Sequence, residues 1–223
     1  MDTPERGGPA IGWEVLQANP ALLQPGDVVH MRWPGFPWNL VRLLTRNKGE
    51  GPTWPNHTAI IGSNEPVALL IEAMVRAVIR QPNRYQHPPW WTLWRGPFRL
   101  VVHRRLGGMS PEVREAIAAK ALDYQGRSFG VGKLLLHALD FICGGAYFFR
   151  RFARMDDYPI CSWIVAYAYY RIIGLKFDVE PNAASPDDIM DYCVRHKWRL
   201  IWVDSPATRG EFYRFYPKAR LAP

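Results

Sequence analysis

The dominant period of the hydrophobic pattern changes close to Ser110, and this change restricts the folds that the chain can adopt. Before Ser110 most apolar residues occur in short β-prone runs bounded by Pro, Gly and Asn, whereas after it most recur at helical spacing. The predicted strands are residues 28–33, 57–62, 67–74, 75–79, 99–105 and 198–203. The predicted helices are residues 38–46, 110–125, 129–143 and 161–173, with another beginning at Ser185. The pattern predicts an α+β fold in which an antiparallel sheet or barrel from the N-terminal half packs against helices of the C-terminal half.

No linker separates the two halves, since no long run rich in Gly, Ser or charge lies between them. The 223 residues are enough for one generous domain with a real core. We therefore expect a single domain over residues 1–223, with its core at about 23–203.

The chain is basic, with 28 Lys and Arg against 20 Asp and Glu and a formal net charge of +8. This balance favours an anionic partner, but charge alone selects only its sign. Because the Arg residues are scattered from Arg6 to Arg220, we expect no nucleic-acid partner. The sequence leaves the oligomeric state open.

Three cysteines, with no Cys-x-x-Cys pair, predict neither a disulfide framework nor a metal site, and no cofactor is expected. The N-terminus has no apolar leader, and the apolar runs at 129–149 and 160–170 are too short or too interrupted to span a bilayer. They are interpreted as buried helices. Together these features favour a reducing, cytoplasmic location.

Position separates the three thiols. Cys143 and Cys193 fall at the end of one predicted helix and inside another, where a free Cys is usually a small core residue. Cys161 instead occupies the first turn of a long apolar helix. Unpaired N–H groups and the positive end of the helix dipole favour a thiolate there, and can also hold an oxyanion. Cys161 is therefore the candidate nucleophile.

Among the six histidines, His57 is the best placed to act as its base, because it begins an apolar strand directly after a polar loop. The alternative is a structural or merely exposed histidine. Glu72 interrupts an apolar run in the strand expected to pair with the one opening at His57. A carboxylate there could orient the imidazole across the strand pair, or could face solvent on an edge strand beside Arg76.

These residues lie in a series of short motifs. In chain order, the motifs are Gly26-Asp27, Asn56-His57-Thr58-Ala59-Ile60-Ile61-Gly62, Ile71-Glu72-Ala73, Tyr158-Pro159-Ile160-Cys161-Ser162 and Ser185-Pro186-Asp187-Asp188-Ile189. The series resembles the YiiX-like proteins, which are circularly permuted members of the NlpC-type papain-like cysteine peptidase superfamily. The resemblance covers residues 23–192, with His first and Cys last, the reverse of papain.

The resemblance implies a permuted papain-like fold with Cys161 as nucleophile, His57 as base and Glu72 as the group that orients it. It further implies a cysteine peptidase or amidase that cleaves an amide bond through a Cys-thioester, in peptides or isopeptides of cell-wall type. The partner is then an anionic small peptide or muropeptide. A related possibility is an acyl-lipid substrate, with hydrolysis or acyl transfer and peripheral contact at an anionic membrane. A third is a binding module in which Cys161 is simply buried. The role of the Trp-rich segment 88–94 stays open.

Overall fold

A computed structural model describes residues 22–35, 38–45, 53–63, 69–73, 78–82, 99–125, 127, 130–143, 148–149, 160–203 and 206–217. The strands are β1 (Val28–Arg32), β2 (His57–Ser63), β3 (Leu69–Ala73), β4 (Val78–Pro82), β5 (Arg99–Arg104) and β6 (Arg199–Val203). The helices are α1 (Trp38–Leu44), α2 (Pro111–Leu122), α3 (Val131–Ile142), α4 (Cys161–Ile173), α5 (Pro186–Arg195) and α6 (Pro206–Phe215), and a 3-10 turn lies at Pro181–Ala183.

The six described strands form one open sheet in the order β4-β3-β2-β1-β5-β6, and all neighbours are antiparallel. Strand β1 lies at the centre, where Met31 pairs with His57 of β2 on one side and with Leu100 of β5 on the other. The expected α+β architecture with an antiparallel sheet is confirmed. Its permuted papain-like detail stays a prediction.

Alternation along the strands gives the sheet two apolar faces. Val28, Ile60 and Ile71 belong to a core cluster with Trp163 and Ile164 of α4. The next residues along the strands belong to a second cluster, which contains Val29, Met31, Ile61, Leu70, Val102 and Trp202. Helix α4 therefore packs on the first face of the sheet. Its N-terminus lies near the start of β2, where Cys161 contacts Thr58.

A buried ionic cluster connects β1 with the helices. Asp27 is fully buried and pairs with Arg104 at 2.6 Å and with Arg114 at 3.6 Å. The preceding residue, Gly26, has φ +83°, a conformation that favours glycine. Its carbonyl accepts a 2.6 Å hydrogen bond from the hydroxyl of Tyr169 in α4. These contacts hold the start of β1 against α4.

Four features of the structure differ from the expectations. The strand expected at 75–79 is found at Val78–Pro82, and the helix α6 was not predicted because its mixed aromatic and basic residues have no clear apolar period. The helix expected to be buried at 129–143 exposes large apolar side chains, which include Leu135 and Ile142. Cys143, at its end, is exposed, so the prediction that it lies in the core is wrong, whereas Cys193 is buried as predicted.

Candidate active site

Cys161 is the first residue of α4 and is only 9% exposed. The preceding Ile160 is extended and caps the helix with no side-chain hydrogen bond, so the first-turn N–H groups remain directed at the region around the thiol. The backbone N–H groups of Ser162 and Thr58 donate hydrogen bonds to its sulfur. The start of α4 and the start of β2 therefore both contribute to the environment of the thiol.

Two side chains hold the N-terminus of α4 in place. The hydroxyl of Ser162 donates to the carbonyl of Ala184 at 2.6 Å, and the indole N–H of Trp163 donates to Oδ1 of Asn182 at 2.5 Å. Both acceptors belong to the segment around the 3-10 turn that leads into α5. The position of Cys161 thus depends on contacts with a neighbouring segment as well as on its own helix.

His57 and Glu72 lie on adjacent strands. The pairing of Ile60 with Ile71 and of Ile61 with Leu70 continues to place Glu72 beside Ala59, two residues from His57 on the same face. Nε2 of His57 lies 2.6 Å from Oε2 of Glu72, and the two residues are 3% and 0% exposed. The structure therefore excludes the solvent-facing alternative for Glu72.

The imidazole is also hydrogen-bonded to the thiol of Cys161. Since Nε2 faces Glu72, Nδ1 is the ring nitrogen that remains for a hydrogen bond with the sulfur. The structure thus brings together all three residues selected from the sequence.

Charges within this trio shift the pKa values in opposite directions. Burial by itself lowers the pKa of His57, but the charge and hydrogen bond of Cys161 and then of Glu72 raise the pKa to about 10. Burial by itself raises the pKa of Cys161, but the charge and hydrogen bond of His57 and the N–H groups of Thr58 and Ser162 lower it below its ordinary value. Both shifts favour the charged pair, with Cys161 as thiolate and His57 as imidazolium.

Two residues that sequence reasoning did not assign to the site support His57. Asn56 accepts from the backbone N–H of Trp33 at 2.9 Å and donates to the carbonyl of Trp33 at 2.8 Å. The indole of Trp33 lies edge-on to the imidazole with ring centres 6.2 Å apart. Asn56 could have been found from the sequence, since it is a polar residue directly before an apolar strand. Trp33 could not, because its approach to His57 depends on strand pairing.

Two other buried histidines differ from His57. His30 and His103 have ring centres 5.2 Å apart. Burial lowers the pKa of His103 to about 3, and burial followed by the proximity of His103 lowers that of His30 well below its ordinary value. Both imidazoles are therefore neutral near pH 7. Burial likewise raises the pKa of Cys193, which makes it an unreactive core thiol.

Within the described ranges, no group of three or more His, Cys, Asp or Glu side chains is arranged to hold a metal ion. Arg76, His87 and the Trp-rich segment 88–94 lie outside the described residues.

Neither protein-family models nor curated proteins match the chain. Among solved structures, the chain is similar to the one titled "Crystal structure of metalloprotein yiiX from Escherichia coli O157:H7, DUF1105". The two share 19% identity with a TM-score of 0.45, over 69% of this chain and 68% of that chain. The affiliation with the NlpC-type superfamily stays a prediction. The chemistry of the site must be judged from its own side chains.

Proposed function

We propose that the protein is a cysteine hydrolase that cleaves an amide bond through a thioester on Cys161. One observation carries the proposal: the helix-start thiol of Cys161 is hydrogen-bonded to His57, whose Nε2 lies 2.6 Å from Oε2 of Glu72. A nucleophile, a base and a group that orients the base are the parts that such catalysis requires. The contact between Cys161 and His57 also disfavours a binding module in which the thiol has no chemical role.

The reaction follows from the charged pair. The thiolate of Cys161 attacks the amide carbonyl carbon, and N–H groups at the start of α4 stabilise the oxyanion that forms. The imidazolium of His57 gives its proton to the leaving amine as the C–N bond breaks, which leaves an acyl group on sulfur. Water then attacks the thioester, His57 takes a proton from that water, and the product carboxylic acid departs as the thiolate is restored. Glu72 stabilises the imidazolium whenever it carries charge.

The substrate class proposed is an anionic small peptide or muropeptide with peptide or isopeptide bonds of cell-wall type. The net charge of +8 supports this choice, since it attracts the carboxylates of such fragments. The second candidate is hydrolysis or transfer of a lipid acyl group by the same trio. The exposed apolar side chains Leu135 and Ile142 of α3 favour that candidate.

The test is to incubate the wild-type protein with a muropeptide pool and, separately, with an acyl-lipid pool, and to search both by mass spectrometry for new products. Cys161→Ala is the inactive variant, and Cys143→Ala is the matched control because Cys143 is an exposed thiol outside the trio. We expect products from the wild type and from Cys143→Ala, and none from Cys161→Ala.

The chemical class of the product distinguishes the two candidates. An amine released from muropeptides supports the amidase, whereas a fatty acid or a transferred acyl chain supports the lipid enzyme. Absence of any Cys161-dependent product from both pools would overturn the hydrolase proposal. Acid quenching should also trap an acyl group on Cys161, detected as added mass on the intact chain.

A further inference from the structure

Helix α3 has an inverted arrangement of polar and apolar side chains. Its polar residues His137 and Asp140 are buried at 2% and 4% exposure. Its apolar residues Leu135, Leu139 and Ile142 are exposed at 61%, 41% and 74%. A helix on the surface of a globular protein normally has the opposite arrangement. The apolar side of α3 is therefore suited to contact something other than water.

The exposed residues form one stripe, because the spacings of four and three residues place Leu135, Leu139 and Ile142 on one side of a helix. Phe148, which is 48% exposed, lies just after this helix. It is held there by Asp140, whose Oδ1 accepts hydrogen bonds from the backbone N–H groups of Phe148 and Phe149 at 3.0 and 2.7 Å. We refer to Leu135, Leu139, Ile142 and Phe148 as the α3 stripe.

The sequence around the stripe is strongly basic. Between Arg127 and Arg154, the only acidic residue is Asp140, which is buried. The basic residues in this stretch are Arg127, Lys133, Arg150, Arg151 and Arg154. Exposed apolar side chains together with an excess of positive charge are complementary to a surface that is apolar inside and anionic at its headgroups. An anionic bilayer has this chemistry.

We propose that the α3 stripe is a docking surface for an anionic lipid bilayer. The stripe enters the boundary between headgroups and acyl chains, and the positive charge of the surrounding sequence attracts the anionic headgroups. The contact is peripheral. None of the described helices is long and apolar enough to cross a membrane.

The docking surface is connected to the candidate active site through α1. Helix α1 packs against α3 and carries Leu40, a further exposed apolar residue at 41%. Trp38 of α1 contacts Trp33 with ring centres 5.0 Å apart, and Trp33 contacts His57. A bilayer on α3 therefore lies one helix away from the trio. The docking proposal itself does not depend on the catalytic proposal.

The test is flotation of the full chain with vesicles of phosphatidylcholine alone and with vesicles that also contain phosphatidylglycerol. We expect the wild type to float with the anionic vesicles and to be released by high salt, which screens the charge attraction. In the double variant Leu135→Ser and Ile142→Ser, we expect binding about tenfold weaker or more, because two apolar side chains are removed. Leu106→Ser is the matched control, since Leu106 is 59% exposed but lies outside α3.

A second measurement leaves the stripe intact. Cys143 is exposed and follows Ile142 directly, so an environment-sensitive fluorophore attached to it reports on the end of the stripe. The label is placed in a Cys161→Ala background, where the remaining thiol, Cys193, is buried. We expect a blue shift and an intensity increase with anionic vesicles.

Four outcomes would overturn the proposal. One is equal flotation with both types of vesicle, and another is equal flotation of the wild type and the double variant. The third is a concentration-dependent dimer that the double variant abolishes while neither vesicle binds, which assigns the stripe to a second copy of the chain. Absence of flotation, of a fluorescence change and of a dimer would also reject it, and would assign the stripe to another segment of this chain.

Discussion

Nε2 of His57 lies 2.6 Å from Oε2 of Glu72, and both side chains are almost completely buried. Burial of a carboxylate is costly unless a partner compensates, so Glu72 strongly favours a charged imidazole. The same imidazole is hydrogen-bonded to Cys161, and its charge lowers the pKa of the thiol. Glu72 therefore favours the thiolate of Cys161 by stabilising the charged imidazole.

The reactivity of Cys161 should extend to lower pH than that of an ordinary cysteine. Since the pKa of this thiol is lowered and that of His57 is raised to about 10, the thiolate forms at a lower pH than in an ordinary cysteine. We expect His57→Ala to shift the alkylation profile upwards, because burial then raises the pKa of Cys161 without an opposing cation. The measurement is the iodoacetamide rate against pH in a Cys143→Ala background. An unchanged profile in His57→Ala would contradict the ion pair.

Glu72→Gln should keep the shape of the side chain while removing its charge. The pKa of His57 should fall, because the charge and hydrogen bond of Glu72 help to raise it, and activity should decrease about tenfold or more. The histidine titration can be followed by NMR. Glu211→Gln is the control, since Glu211 pairs with Arg32 and Arg99 outside the trio, and it should leave the titration of His57 unchanged.

Ser162→Ala should loosen the start of α4. Loss of the buried 2.6 Å bond to Ala184 should reduce the free energy of unfolding by about 1–2 kcal/mol and should slow alkylation of Cys161. Ser110→Ala removes the N-cap hydroxyl of α2 and should also cost about 1 kcal/mol. If Ser162 positions the nucleophile, only its variant changes the pH profile of Cys161. Identical profiles in the two variants would show that Ser162 has a purely structural role.

Asp27→Asn should destabilise the fold by about 3 kcal/mol, because it leaves Arg104 and Arg114 without their buried carboxylate. Denaturant unfolding should show a lower midpoint with an unchanged slope. Asp123→Asn is the matched control, since Asp123 is an exposed partner of Lys120, and its effect should stay below about 0.5 kcal/mol. Comparable losses in the two variants would contradict a special role for the buried cluster.

The sequence by itself determined the local features of this protein. The apolar periods predicted the α+β architecture, the strand that opens at His57 and the helix that opens at Cys161, because such starts depend on residues close in the chain. The apolar periods alone therefore predicted where each site residue lies on its helix or strand.

Only the tertiary structure decided which side chains meet and which face water. Strand register placed Glu72 diagonally beside His57, and the Glu72 side chain is buried there. The sequence had not decided between this position and a solvent-facing one. Packing of α4 on the sheet brought Cys161 to the same imidazole. The predictions of burial for Cys143 and for the helix at 129–143 were wrong for the same reason. Apolar composition predicts that a helix is buried, but it does not say which side of the helix the rest of the chain covers.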